Sequence, residues 1–471
     1  MAVSRRAAVT GLVALGLGLP AIRSLALPTS RPWLPRPVEL ASGEILAASR
    51  ARLPFTAPES RGYGYNQTSP GPLIRVRRGE EFRIRIANHL DEETTFHWHG
   101  LICPTEADGQ PQNPVLPGES AEVAFPILQR AGLSWYHPHP HGATAKQAWH
   151  GLGGFFVIED EEEKALGLPS GEDEWFLVLR DIQLDALGRI FFPDDAGGSE
   201  GTLPLINGVV NPRAHAANRQ LRLRILNGAN ARVFRLSADA PLTLIGNDGG
   251  LLETPVPVDQ IQMGPAERID VILDLRKIAP GTVVGLRDDS FAAPLLEITV
   301  REGAPDHWQL PKRLSTITPL VHHGSEPDRV FTFQGDSTIN DKPFEPTRID
   351  FAIPFGKVER WRFQSAQGAP HPIHIHGAHF QVIQRSGRGR NQVEPWERGW
   401  KDTVLKWAPE QVDILVRFDT YEGRYLLHCH KLEHEDGGMM LNFVVGKDPE
   451  AALEKARIEA LYGPICTTRQ G

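Results

Sequence analysis

His428-Cys429-His430, followed by His434 and Met439, brings three imidazoles, a thiol and a thioether into twelve residues. That donor set suits copper, because two histidines, one cysteine and a weak axial thioether are the ligands of blue-copper electron-transfer sites. Side chains of an extended strand alternate between faces, so His428 and His430 are expected to point one way and Cys429 the other. One tripeptide then serves two centres. His434 and Met439 are expected to close around the Cys429 sulfur, while His428 and His430 face a separate, imidazole-rich site.

Three further clusters supply such a site: His97-Trp98-His99, His137-Pro138-His139 and His371-Pro372-Ile373-His374-Ile375-His376. Each contains the i, i+2 spacing that puts two imidazoles on one strand face. Ten of the eighteen histidines fall in the four clusters, and that concentration separates them from ordinary, singly hydrogen-bonded histidines. His89, His141, His150, His215, His307, His322, His323 and His379 lack ligand spacing and are left outside the site.

In these motifs the chain resembles the three-domain multicopper oxidases, the group that includes laccases, bilirubin oxidases and periplasmic cuprous oxidases. The family pattern HxHG matches His97 to Gly100, and HxH after an aromatic pair matches Trp135 to His139. HPxHxHG matches His371 to Gly377, and HCHxxxHxxxxM matches His428 to Met439. The resemblance implies four coppers per chain. His371, Cys429 and His434 would hold type 1 copper with Met439 axial, and His97 and His374 would hold type 2. His99, His137, His139, His376, His428 and His430 would hold the type 3 pair. It also implies an enzyme that oxidises a reducing substrate one electron at a time at type 1 copper and reduces dioxygen to water at the three-copper cluster. Asp108 matches a family carboxylate that assists proton delivery near type 2 copper, and Glu435 matches a second acidic position linked to proton movement. Asp402, in Lys401-Asp-Thr-Val404, is expected to orient a histidine from behind.

The substrate reading is laccase-like oxidation of phenols or aromatic amines. With only Met1, Met263, Met439 and Met440 in the chain, a methionine-rich docking site for cuprous ions is not expected. Two alternatives stand beside it: a cuprous or other metal-ion oxidase in copper tolerance, and an exported non-catalytic copper-binding or structural protein of the same fold. Met439, rather than Leu or Phe, favours a type 1 potential below the highest of the family.

Positioning these ligands requires strands. Forty-five glycines and thirty-nine prolines among 471 residues suggest many short strands joined by turns. Glu81 to Ala87 and Gln220 to Leu226 alternate polar and apolar residues, as half-buried strands do. Helical patterning is scarce, with Asp448 to Tyr462 the best candidate. The expected fold is all-β: three consecutive cupredoxin-like Greek-key β-sandwich domains, at 37–160, 172–302 and 330–446, followed by a tail at 447–471. The first and third domains carry the ligand clusters. The second, with Leu205 to Gly208, Asp248 to Gly250 and Gly264 to Asp270, carries none and is expected to act as a spacer.

Residues 1–26 read as a twin-arginine-type signal peptide: Arg5-Arg6, an uncharged stretch from Ala7 to Ile22 that is short for a membrane span, and a Ser24-Leu25-Ala26 cleavage site. The expectation is export by the twin-arginine machinery to the periplasm or beyond, with no membrane span in the mature form. The net charge of −8 becomes about −11 once Arg5, Arg6 and Arg23 are removed, which argues against nucleic acid as a partner. Cys103 and Cys466 are open between a disulfide and two separate thiols.

Overall fold

The computed structural model describes residues 31–462 apart from 42, 58, 59 and 390. The signal segment and Cys466 lie outside the described residues. Strands dominate, arranged as three consecutive β-sandwich domains. In the first, one four-stranded sheet runs Gly62–Tyr65, Ile45–Ala51, Glu81–Asn88, Ser120–Pro126. The facing sheet runs Gly71–Arg77, Gly154–Glu159, Gly132–His137, His97–His99. The second sandwich pairs an eight-stranded with a five-stranded sheet, and the third pairs two five-stranded sheets. Each encloses its own apolar core.

Glu81–Asn88 shows the half-buried alternation its sequence promises, with Phe82, Ile84 and Ile86 inward and Glu81, Arg83 and Arg85 outward. Gln220–Asn227 departs from it, being buried along its whole length. Its polar row is covered by counter-charges: Arg222 and Arg224 pair with Asp270 and Glu174 of their own sandwich and with Glu163 of the segment that follows the first. Alternating polarity marks a strand but does not tell water from a buried ion pair.

Asp448 to Tyr462 is helical from Pro449. Two short helices that the sequence did not announce are Thr144–Trp149, just after the second ligand motif, and Leu432–Asp436, inside the fourth and carrying His434. They fasten the first sandwich to the third. Asp436 accepts from the Thr144 and Ala145 N–H groups at 3.0 and 2.8 Å, and Leu432 packs on Ala145 and Ala148. No described helix is long and apolar enough to cross a membrane.

Candidate metal centres

In the third sandwich His371–Ile375 lies antiparallel to Gly423–Cys429, with Ile373 opposite Cys429 and His374 opposite His428. Directly opposed residues share a face. His371, Ile373 and Cys429 therefore occupy one side of the sheet, and His374 and His428 the other. The HPxHxH spacing performs the same division as HCH: an odd step sends His371 away from His374, and an even step keeps His374 with His376. In the first sandwich His97 lies opposite His137, which brings the two HxH motifs together.

On the inner side, Cys429 Sγ lies 3.5 Å from His371 Nδ1 and 3.7 Å from His434 Nδ1, and the two nitrogens are 3.3 Å apart. The centre of that triangle is about 2 Å from each corner, close to a metal–imidazole bond length. Met439 is buried in the same apolar cluster, its carbonyl accepting from Cys429 N–H at 3.1 Å and its N–H donating to the His434 carbonyl at 2.8 Å. Burial pushes the Cys429 thiol up to about 12, so it needs a bound cation to lose its proton near neutrality. Burial, with His434 and Lys406 nearby, pushes His371 down to about 2, and burial with Lys431 nearby takes His434 to about 3. Both rings are neutral and can act as ligands.

On the other side, His97, His99, His137 and His139 of the first sandwich meet His374, His376, His428 and His430 of the third. Each is exposed over 1% of its surface or less. Two stacks cross the boundary: His97 on His376 at 4.0 Å between centroids, and His99 on His374 at 3.7 Å. His139, His376 and His428 converge through Nε2, with separations of 3.4 and 3.1 Å to His428. His137 Nε2 lies 3.4 Å from His99 Nδ1 and 3.3 Å from His430 Nε2.

The remaining two, His97 and His374, supply the test of whether a metal fits. Each donates Nδ1–H to a carbonyl, of Asp108 at 2.7 Å and of Asp402 at 2.8 Å, leaving an Nε2 lone pair that is buried with no hydrogen-bond partner. A buried acceptor without a partner is costly, and a metal ion would supply one. The donors present therefore fit metal ions of the soft-to-borderline, imidazole- and thiolate-preferring kind.

Three buried carboxylates stand behind the rings. Asp108 Oδ2 accepts from His376 Nδ1 at 2.7 Å, and Oδ1 lies 3.4 Å from His97 Nδ1. Burial opposes its charge, but His376 and His97 outweigh burial and hold it below the usual carboxylate range. His376 itself stays neutral, pushed by burial and by His97 to about 3. Glu435 spans the boundary, 3.1 Å from His139 Nδ1 and 3.2 Å from His428 Nδ1. Asp402 Oδ1 lies 3.1 Å from His99 Nε2.

Every sequence-nominated residue thus lies at one of the two sets. His379, left out of the ligand reading, is nevertheless close by, with Nε2 3.0 Å from the Gly100 carbonyl that follows His99. Cys103, with no cysteine partner among the described residues, is a buried thiol that donates to Asp108 Oδ1 at 3.6 Å. Sequence reasoning missed Gln110, which donates to Asp108 Oδ2 at 3.1 Å, and Arg268, which grips Asp402. It also missed Asp336, whose Oδ1 lies 3.3 Å from His434 Nε2 with half of its side chain in solvent.

Family models described as multicopper oxidase match residues 48–163 and 313–449. A multicopper oxidase, mco, of Staphylococcus haemolyticus is 34% identical over 81% of this chain and 83% of its own. The chain belongs to the multicopper oxidase family. The solved multi-copper oxidase of Pediococcus acidilactici superposes with a TM-score of 0.83 at 34% identity, covering 89% of this chain and 93% of that one. Cell division protein FtsP of Xenorhabdus nematophila is 32% identical over 83% of this multicopper oxidase and 86% of its own length.

Proposed function

We propose that this multicopper oxidase is a laccase-like enzyme that oxidises phenols or aromatic amines and reduces dioxygen to water. His371, Cys429 and His434, together with Met439, would hold type 1 copper, and His97 with His374 type 2. His99, His137, His139, His376, His428 and His430 would hold the type 3 pair. Bound there, the coppers would supply one-electron chemistry at the triangle and four-electron reduction of oxygen at the eight-histidine set. The observation that carries this reading is the division of the strand at Cys429: its side chain belongs to the triangle, and its backbone neighbours His428 and His430 belong to the other set. A covalent path of a few bonds joins the two.

The protein's own groups provide the proton handling. Asp108 and Glu435 are the acid–base groups of the reading, each behind two imidazoles of the oxygen-reducing set. At the other end, Asp336 is a solvent-reachable carboxylate beside His434. A phenol or aromatic amine that lost one electron to a type 1 copper held by His434 would become acidic, and Asp336 is placed to accept its proton. The same carboxylate would attract a cation, which keeps metal-ion oxidation as a second reading. A non-catalytic copper-binding or structural role, or a cell-division role like that named for FtsP, has less support here, since the complete donor set would then serve nothing. Export by the twin-arginine machinery to the periplasm or beyond belongs to the same proposal, supported by Arg5-Arg6 and the uncharged stretch after them.

The test is a visible spectrum and copper count on the copper-loaded protein, followed by oxygen uptake with a phenol and with Cu(I). An intense blue thiolate band with faster uptake on the phenol is expected, as is a loss of phenol but not ferrocyanide oxidation in Asp336→Asn. A colourless, copper-free protein overturns the reading, and faster uptake on Cu(I) transfers it to the metal-ion alternative.

A further inference from the structure

Arg268 begins a strand of the second sandwich, Arg268–Asp274, yet its guanidinium is shared by all three. Nε donates to the Leu133 carbonyl of the first sandwich at 2.9 Å. Nη1 donates to Asp402 Oδ1 of the third at 2.8 Å, Nη2 donates to Asp402 Oδ2, and Nη2 also reaches the Asp248 carbonyl of the second at 3.2 Å. The side chain is fully buried. Arg268 thus holds both carboxylate oxygens of Asp402 in a two-pronged grip, the geometry that fixes the plane of a carboxylate most firmly.

What Asp402 does with that charge is visible in the eight imidazoles. His97, His137, His374 and His376 each spend Nδ1 on an oxygen outside the cluster and turn Nε2 inward. His139, His428 and His430 also meet their neighbours through Nε2. His99 is reversed: its Nε2 faces Asp402 Oδ1 and Thr403 Oγ1, both at 3.1 Å, and its Nδ1 faces His137. Thr403 donates its own hydroxyl to Asp402 Oδ1 at 2.9 Å, which leaves the carboxylate as the anionic acceptor for His99 Nε2–H. An outer hydrogen bond fixes which ring nitrogen is free to ligate.

We propose that Arg268 is a positioning residue for the oxygen-reducing centre: acting through Asp402, it fixes the reversed orientation that leaves His99 Nδ1 free as a metal donor. The second sandwich is then part of the site and not only a spacer. Without the guanidinium, Asp402 would be a buried carboxylate lacking its counter-charge. Nothing would then fix the plane of that carboxylate, and the oxygen that faces His99 Nε2 would be free to turn away from it. The inference rests on the copper reading above.

A neighbouring ion pair provides the control. Lys401 is equally buried at the same junction, and its ammonium pairs with Asp248 at 2.8 Å and Glu267 at 3.2 Å, not with a residue behind a histidine. The experiment measures copper content, the blue band and the near-ultraviolet absorption of the coupled type 3 pair in purified wild type, Arg268→Met, Arg268→Lys and Lys401→Met. Arg268→Met is expected to keep the blue band and lose copper from the eight-histidine set together with the near-ultraviolet absorption. Arg268→Lys, which keeps a cation without the fork, is expected to fold and to lose part of both, so it carries the test if the methionine variant does not fold. Lys401→Met is expected to melt earlier with its copper and spectrum intact. Wild-type copper and absorption in both Arg268 variants overturns the proposal, as does equal copper loss in Lys401→Met, which would mean that any break at the junction suffices. A wild-type protein that binds no copper overturns the reading beneath it as well.

Discussion

The triangle and the eight-histidine set solve the same problem, holding imidazoles rigid in a dry interior, by different means. The triangle is built inside one sandwich, from neighbouring strands of one sheet and the short helix after them, and is walled by apolar side chains such as Ile373 and Phe333. The carboxylate paired with its His434 ring, Asp336, is half in solvent. The eight-histidine set exists only where two sandwiches meet, and its rings are backed by the buried carboxylates of Asp108, Asp402 and Glu435. One is a property of a sheet and the other of an interface. A redox site that must hold its geometry in both oxidation states suits a rigid, apolar wall. A site that must take up protons needs carboxylates close by.

The sharpest break in this comparison is Cys429→Ser. It should abolish the blue band and bring oxygen uptake to background, while copper analysis still finds metal at the eight-histidine set. Loss of all copper would show that the two sites are not separable. Asp108→Asn is the reverse cut. The blue band should persist while turnover falls about 10- to 100-fold, the usual range for removing a partner behind a ligand. An unchanged steady-state rate would remove Asp108 from the proton path.

Acid should act on the metal-free protein through both sites. An ordinary histidine titrates near 6.5, whereas burial holds His376 and His434 near 3 and His371 near 2 in the fold. Between about pH 6.5 and 3 the unfolded chain binds protons that the folded chain refuses, so stability is present above that window and is lost as pH falls through it. Each such ring contributes at most about 1.4 kcal/mol per pH unit within the window. Melting temperatures of the metal-free protein should therefore decline from pH 7 to 5, and a flat profile would contradict the burial argument. The smallest effect is expected of Ile373→Val, which trims the wall between the sites. It should cost about 1 kcal/mol in chemical denaturation and leave the blue band in place.

The ligands were legible because their signal is local. HxH and HCH spacings encode strand faces directly, and the structure places Cys429 opposite Ile373 and His428 opposite His374 as alternation requires. Asp402 was nominated as an orienting group too, and it stands immediately before Thr403–Lys406, a strand that pairs with the ligand strand. Arg268 was not, since its partner lies 134 residues away in another domain. A weak local signal did exist, in that Arg268–Asp274 sets three charges, Arg268, Asp270 and Asp274, into an otherwise apolar strand. The same signal was misread at Gln220 to Leu226, where buried Arg222 and Arg224 passed for a solvated row. Charge in a strand shows that a partner exists and leaves open whether that partner is water, and only the assembled domains decide it.

The two cross-boundary stacks, His97 on His376 and His99 on His374, also set an order in time. A ribosome that has finished the first sandwich has made one half of each stack, and at about 5–20 residues per second the other half follows roughly 10 to 45 s later. During that interval the nascent chain displays pairs of histidines but no complete site, and metal captured then is held by fragments of the final donor set. Only closure of the third sandwich onto the first creates the whole set, so the eight-histidine set comes into being only after both sandwiches exist.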